Sequence, residues 1–407
     1  MKNRKVIKIL AIMAIIVSVF VFGAFKSLKY DEMLSKFQPV FEILNYVQKA
    51  YYDVEKVDYD KILNETLKGV MKGLDDPFAW YFTPVQTTEN EIETKSEYGG
   101  IGAVVQYNTE YDCLEVVAPM VDSPAEEAGL LTGDLIFEID GHLVSETGYY
   151  ESVNLLRGTP GTEVTVKVMR KGFEEPLTIT ITRAKIKIKT VKYSSIDYNG
   201  WDIGYVRITQ FSNPTYEEFQ KALYSLIGFD AFIIDLRNNP GGLLSSVLRI
   251  ASLILPEGKT VITIRDRNGS EEVYRSWGGY FSDLLKDKPI VVLVNGGSAS
   301  ASEILTGALK DHGVATVVGT KTFGKAAVQT VYNLSNGGEI WLPTAHYLTP
   351  NGSDIHLKGI EPDITVEATI STNSSSELTV SKVELDPESD VQLKKALEVI
   401  EEKLKLK

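Results

Sequence analysis

Three apolar runs constrain this chain more than anything else in it: "AFIIDLR" (231–237), "PIVVLVN" (289–295) and "VATVVGT" (314–320). None alternates apolar with polar residues, so each predicts a strand buried on both faces. Helical stretches follow the first two, "LLSSVLRIASLIL" and "ASASEILTGALKDHG". This alternation predicts a mainly parallel sheet covered by helices on both sides. Every strand of such a sheet delivers its exit loop to one edge, where ligands bind. "NNPGG", "GGSAS" and "TFGK" are therefore expected side by side.

The second of those loops opens "GGSASASEI", with three serines in five positions. Ser298 falls in the turn, Ser302 one residue into the helix, and Ser300 begins an S-x-x-E capping box with Glu303. A serine at a strand-to-helix turn is also where hydrolases place nucleophiles, with the next N–H free for an oxyanion. Position alone leaves cap and nucleophile open. The chain has four histidines, His142, His312, His346 and His356. His312 and Asp311 share the Ser300 helix and lie about 16–18 Å along it, out of reach. His346 and His356 fall in later segments that spacing does not place. Lys321 and Lys325 follow the third strand and emerge on the same edge. Small and apolar neighbours around Lys325 favour a desolvated amine, so a Ser/Lys dyad is chemically reasonable.

The chain has 407 residues, of which 43% are hydrophobic and 24% charged, enough for two or three globular domains. A net charge of −13 argues against a nucleic-acid partner. Cys113 is the only cysteine, which excludes an internal disulfide and a cysteine-rich zinc site. Lys2, Arg4, Lys5 and Lys8 precede an uncharged run from Ile9 to Phe25, the layout of a secretory signal or signal anchor. The chain is therefore expected to be exported, either anchored on the outer face of the cytoplasmic membrane or secreted. Two amphipathic helices are expected over 30–84, with Gly73 as a C-cap and Pro77 as a stop. The tail reads as a Ser/Thr-rich linker and a capped helix packing on the helical arm, in the same chain or in a homodimer.

From Tyr98 to Arg183 short alternating strands are separated by "SPAEEAGL" and "YYESVNLLRG". This order resembles a PDZ domain of the bacterial protease-associated kind, "SPAEEAGLLTGDLIFEIDG" being its most specific stretch. The resemblance implies that the Gly100, Ile101, Gly102 and Ala103 loop binds a peptide's terminal carboxylate while the peptide extends the sheet. Arg157, at the end of the second helix, is the candidate cation for that carboxylate.

"IDLRNNPGG", "GGSASASEILTGALKDHG", "VVGTKTFGKAAVQT" and "HYLTPNGSDIHLKGIEPDI", in that order, resemble the carboxyl-terminal processing proteases, tail-specific Ser/Lys endopeptidases. The resemblance runs from about residue 30 to the end. With the signal segment at 1–26, the chain is expected to be multidomain α/β: a helical N-terminal domain at 27–95, a PDZ domain at 96–184, a protease core at 185–370, and a linker with a C-terminal helix at 371–407. The resemblance further implies Ser300 as nucleophile, Lys325 as general base, Gln329 holding the lysine amine, and Gly242 and Ala301 N–H groups as oxyanion hole. No metal or other cofactor is expected. The implied substrates are exported proteins or peptides with accessible C-termini, and the PDZ domain is expected to gate the site. One position departs: the family usually writes "FGKG", and Ala326 stands for that last glycine. A φ above zero there would penalise alanine. Two rivals follow, a membrane-tethered PDZ scaffold with an inactive protease domain and an acyl-thioester hydrolase on a similar sheet.

Overall fold

The computed structural model describes residues 32–367 and 385–406. The apolar run Ile9–Phe25 and the Ser/Thr-rich linker lie outside them. Among the described residues, no helix is long and apolar enough to cross a membrane.

Of the described residues, 32–70 form a unit of their own. It contains a helix over 32–50, a short turn at Val54–Lys56, and most of the helix Tyr59–Lys72. Asp58 caps that second helix through the Lys61 N–H at 2.9 Å. Phe37, Phe41, Ile43, Tyr46 and Leu63 are exposed. The second helix ends at Lys72, but the left-handed residue beyond it is Asp75 (φ 51°), not Gly73.

In the second unit, residues 97–187 fold as a β-rich domain. Its sheet runs in the order Ala103–Asn108, Cys113–Pro119, Leu135–Ile139, Glu163–Met169, Leu177–Thr182, with His142–Leu143 added beside the third strand. Alternation decides its core: Val164, Val166 and Val168 are buried while the residues between them face outward. The helices Pro124–Glu127 and Val144–Leu156 cover the sheet, and Gly148 (φ 74°) breaks the second. A ribbon of Glu97–Gly100 and Ala184–Lys187 closes the neck of the domain.

The core sheet has six strands, in the order Val191–Tyr198, Trp201–Ile208, Ala231–Asp235, Ile290–Val294, Thr316–Gly319, Ile364–Thr365. The first pair is antiparallel and the rest are parallel. The unbroken apolar runs now have their cause. Phe232 and Ile234 face the helices Thr215–Ser225, Leu244–Ile254 and Ala301–Asp311, while Ile233 faces the other way.

That other face is covered by the C-terminal helix Val391–Lys405, whose Leu393, Ala396, Leu397 and Ile400 pack on Ile203, Ile233, Val291, Leu293 and Val318. The expected place of the tail helix is the helical arm; instead it completes the core, because the strands are apolar on both sides and need a second cover. Arg237 latches it. Its guanidinium bonds Asp235, whose carboxylate is fully buried, and reaches Asp390 at 2.8 Å and Gln392 at 3.2 Å. Burial pushes the Asp235 carboxyl up, but Arg237 outweighs it and holds it below the usual carboxylate value.

A second sheet has no counterpart in the sequence reading. Glu339–Leu348 pairs with Trp80–Phe82, Thr260–Asp266 and Ala327–Asn333, and Glu271–Arg275 adds to Thr260–Asp266, all antiparallel. "TFGKAAVQT" therefore crosses from the parallel sheet to this one.

Asp390 both caps the C-terminal helix, through the Gln392 and Leu393 N–H groups, and pairs with Arg237. Asp390→Ala is expected to cost about 1–2 kcal/mol, read as a lower denaturation midpoint; an unchanged midpoint would show that the latch contributes nothing.

Candidate active site

Ser300 stands at the N-terminus of Ala301–Asp311 with φ 54° and ψ −114°. An ordinary N-cap has extended backbone, whereas this conformation costs on the order of 1–3 kcal/mol and persists only where neighbours impose it. Glu303 is the main neighbour. It is fully buried, and its carboxylate accepts from Ser300 N–H (3.0 Å), Lys325 N–H (2.9 Å), Gly324 N–H (2.8 Å) and Thr322 Oγ1 (2.6 Å). The capping box is thus also a clamp between the serine turn and the lysine loop. Tyr347 adds a second tie, its one hydroxyl proton shared between the carbonyls of Lys325 (2.5 Å) and Ser300 (3.0 Å). Burial and the nearby Glu303 raise its pKa well above the ordinary value, so it stays a donor.

Ser300 and Lys325 line one cavity of about 400 Å³. Lys325 is half-buried, and burial lowers its amine from the ordinary lysine value. It has no ion pair among the described residues. Lys321 instead points away to Glu361 at 2.8 Å. Gln329 also lines the cavity, with its Nε2 donating to the Phe78 carbonyl at 2.7 Å.

The "NNPGG" loop forms another wall. Gly241 (φ 104°) is pressed on the serine turn: a Cβ there would lie 2.7 Å from the Ala299 carbonyl and 2.9 Å from Ala301 N. The Gly242 N–H and the Ala301 N–H have no hydrogen-bond partner among the described residues. Phe211, Ile262, Ile264 and Trp341 make much of the remaining wall apolar. Asn90, Glu93 and Thr94, from the helix Pro84–Lys95, line the same cavity.

The other candidates lie elsewhere. His312 meets the Thr260 carbonyl (2.8 Å), and Asp311 accepts the Asn351 N–H (2.9 Å). His346 and His356 stack on each other with centroids 4.2 Å apart. In the PDZ domain, Gly100 bridges Arg157, Ile101 is buried, Gly102 has φ 72°, and Ala103 opens the next strand. Arg157 faces Glu89 (3.7 Å) and the Tyr98 ring (5.7 Å). No group of three or more His, Cys, Asp or Glu side chains fit for a metal occurs among the described residues.

The Ala326 question resolves on backbone geometry. Ala326 is buried and has no positive φ, so its methyl is unstrained, and the glycine the turn requires is Gly324 at φ 94°. The reason for suspecting an inactive scaffold disappears with it. Sequence reading missed two contributors, Tyr347 and Phe78, and saw in Glu303 only a cap. An acidic residue buried beside three backbone donors has no signature in spacing.

Glu303→Ala would leave four donors facing a hole, each unpaired one costing about 1–3 kcal/mol. A lower Tm and loss of peptide cleavage are expected, with part of both kept by Glu303→Gln; full activity in the alanine variant would show the clamp to be dispensable. Ala326→Gly is expected to leave cleavage rates unchanged and to cost about 1 kcal/mol of stability.

Comparison with known proteins identifies the family. Residues 202–366 match the model of peptidase family S41, and residues 99–181 match that of the PDZ domain. The carboxy-terminal-processing protease of Bartonella bacilliformis is 36% identical over 91% of this chain and 88% of its own. The carboxyl-terminal-processing protease of Synechocystis sp. is 40% identical over 82% of this chain and 76% of its own. Among solved structures, a photosystem II D1 C-terminal processing protease is 30% identical, with 80% of this chain and 92% of that one covered and a TM-score of 0.46. The chain belongs to the carboxyl-terminal processing serine proteases of peptidase family S41, with a PDZ domain preceding the protease core.

Proposed function

We propose that Ser300 and Lys325 form the catalytic dyad of an endopeptidase that cleaves exported proteins near their C-termini. The observation that carries this reading is the convergence of both residues on one cavity under the shared Glu303 and Tyr347 ties. The neutral Lys325 amine takes the Ser300 proton as Oγ attacks the peptide carbonyl. The Gly242 and Ala301 N–H groups hold the oxyanion. Lys325 then gives the proton to the leaving amine, and water releases the acyl group by the same route in reverse. Gln329, through its Phe78 bond, orients the lysine side of the cavity.

The Gly100–Ala103 loop captures the substrate's C-terminal carboxylate, with Arg157 as its cation. Gating is supported by one helix. Pro84–Lys95 presents Asn90, Glu93 and Thr94 to the cavity and Glu89 to Arg157. A peptide carboxylate that takes Arg157 from Glu89 would release that helix, coupling capture to activity. The run Ile9–Phe25 directs export and tethers the protease to the outer face of the membrane or is removed on secretion. The exposed apolar side chains of the 32–50 helix suit a homodimer contact.

Ser300→Ala and Lys325→Ala are each expected to lower kcat by about 10³-fold or more with the fold intact. Retained cleavage in either would reject the dyad. Arg157→Ala is expected to erase the preference for a peptide with a free C-terminus over its amide; a preserved preference would count against capture by that residue.

A further inference from the structure

Lys325 is walled by a residue from far upstream. Phe78 is 6% exposed, and its ring centroid lies 5.7 Å from the lysine Nζ. Its position is set independently of the lysine. Asp76 Oδ1 accepts the Phe78 N–H at 2.8 Å, and Trp80–Phe82 is paired with Glu339–Trp341 just beyond. Behind the ring stands His356, with centroids 5.4 Å apart, and then His346. Phe323 meets its edge at 6.5 Å. The Phe78 carbonyl receives the Gln329 amide.

An aromatic wall acts on an amine in two opposed ways. The ring's quadrupole favours the ammonium, but 5.7 Å is near the outer limit of that attraction, about 6 Å. Exclusion of water disfavours the ammonium whatever the ring's orientation. Among the described residues no carboxylate pairs with the amine to offset this: Glu303 takes the Lys325 main-chain N–H, the Tyr347 hydroxyl donates to its carbonyl, Glu93 lines the same cavity without an ion pair to it, and Asp76 and Asp354 act on His356 behind the ring.

We propose that Phe78 is a positioning residue for proton transfer: its ring keeps water from the Lys325 amine and its carbonyl holds Gln329 beside it, so the 75–82 strap sets the pH at which the protease turns on. This rests on the Ser300/Lys325 reading. The base works when neutral, so kcat/KM rises as pH passes through the lysine pKa. Readmitting water favours the ammonium, raises that pKa and moves the acid limb to higher pH. Below the limb, the rate falls about tenfold for each pH unit by which the limb has moved.

The test is the pH profile of kcat/KM on a reporter peptide without titratable side chains, cut by the full chain in a His356→Gln background that removes the neighbouring imidazole. Phe78→Ala is expected to move the acid limb up by about one pH unit, and Phe78→Leu, which also excludes water, to restore the parent limb. If the alanine variant does not fold, Phe78→Gln, close in volume but polar, is read in the same way. An unmoved limb overturns the proposal, and so does a downward movement, the sign expected from lost cation–π attraction. Lys325→Ala separates the two levels: cleavage within about tenfold of the parent rejects the dyad and the Phe78 role together, whereas a loss of about 10³-fold in Lys325→Ala with an unmoved Phe78→Ala limb rejects the Phe78 role alone.

Discussion

The buried carboxylate of Glu303 is the joint on which the rest of the site turns. One side chain, with no exposed surface, accepts four hydrogen bonds from two loops that leave neighbouring strands of the parallel sheet. A buried charge is tolerable only when its lone pairs are used. The serine turn and the lysine loop are therefore held together by the cost of leaving either one unbonded. The strained φ of Ser300 draws on the same source, since a main chain gripped at its N–H by Glu303 and at its carbonyl by Tyr347 has little freedom to relax.

Around this joint the protein separates its tasks by element. The parallel sheet supplies rigid exit loops, and two of them bring Ser300 and the Gly241–Gly242 turn together, tied by the Asn238–Asn295 pair and by the Ser298 and Ser302 hydroxyls donating to the Leu236 and Asn239 carbonyls. The antiparallel sheet supplies the apolar walls and carries the chain away from Lys325. The helix Pro84–Lys95 touches both the cavity and the PDZ domain's Arg157. Glu89 and Asn90, neighbours in the middle of that helix, face Arg157 and the cavity in turn, and the Glu89–Arg157 pair is long at 3.7 Å.

Much of this is legible in the sequence because the physics involved is local. Strands such as 231–235 announce burial on both faces by their composition, and the alternating PDZ strands announce a single buried face. The serine turn and the lysine both follow such strands. What cannot be read depends on pairings between distant segments. Glu339–Leu348 is mostly half-buried with neither periodicity, and its partners come from residues 80–82, 260–266 and 327–333. By sequence alone Phe78 looks like the end of a helical arm. The tail helix shows its apolar face but not what lies under it, and Ala326 can be judged only once its φ is known.

The C-terminal helix also bears on timing. Leu393, Leu397 and Ile400 form the second cover of the strands that carry the site's loops, and Asp390 completes the Arg237 cluster beneath the "NNPGG" turn. Ribosomes make these residues after all the others of the core. A nascent chain that has emerged through Gln329 thus holds every candidate catalytic side chain while one face of the sheet that carries them still lacks this cover.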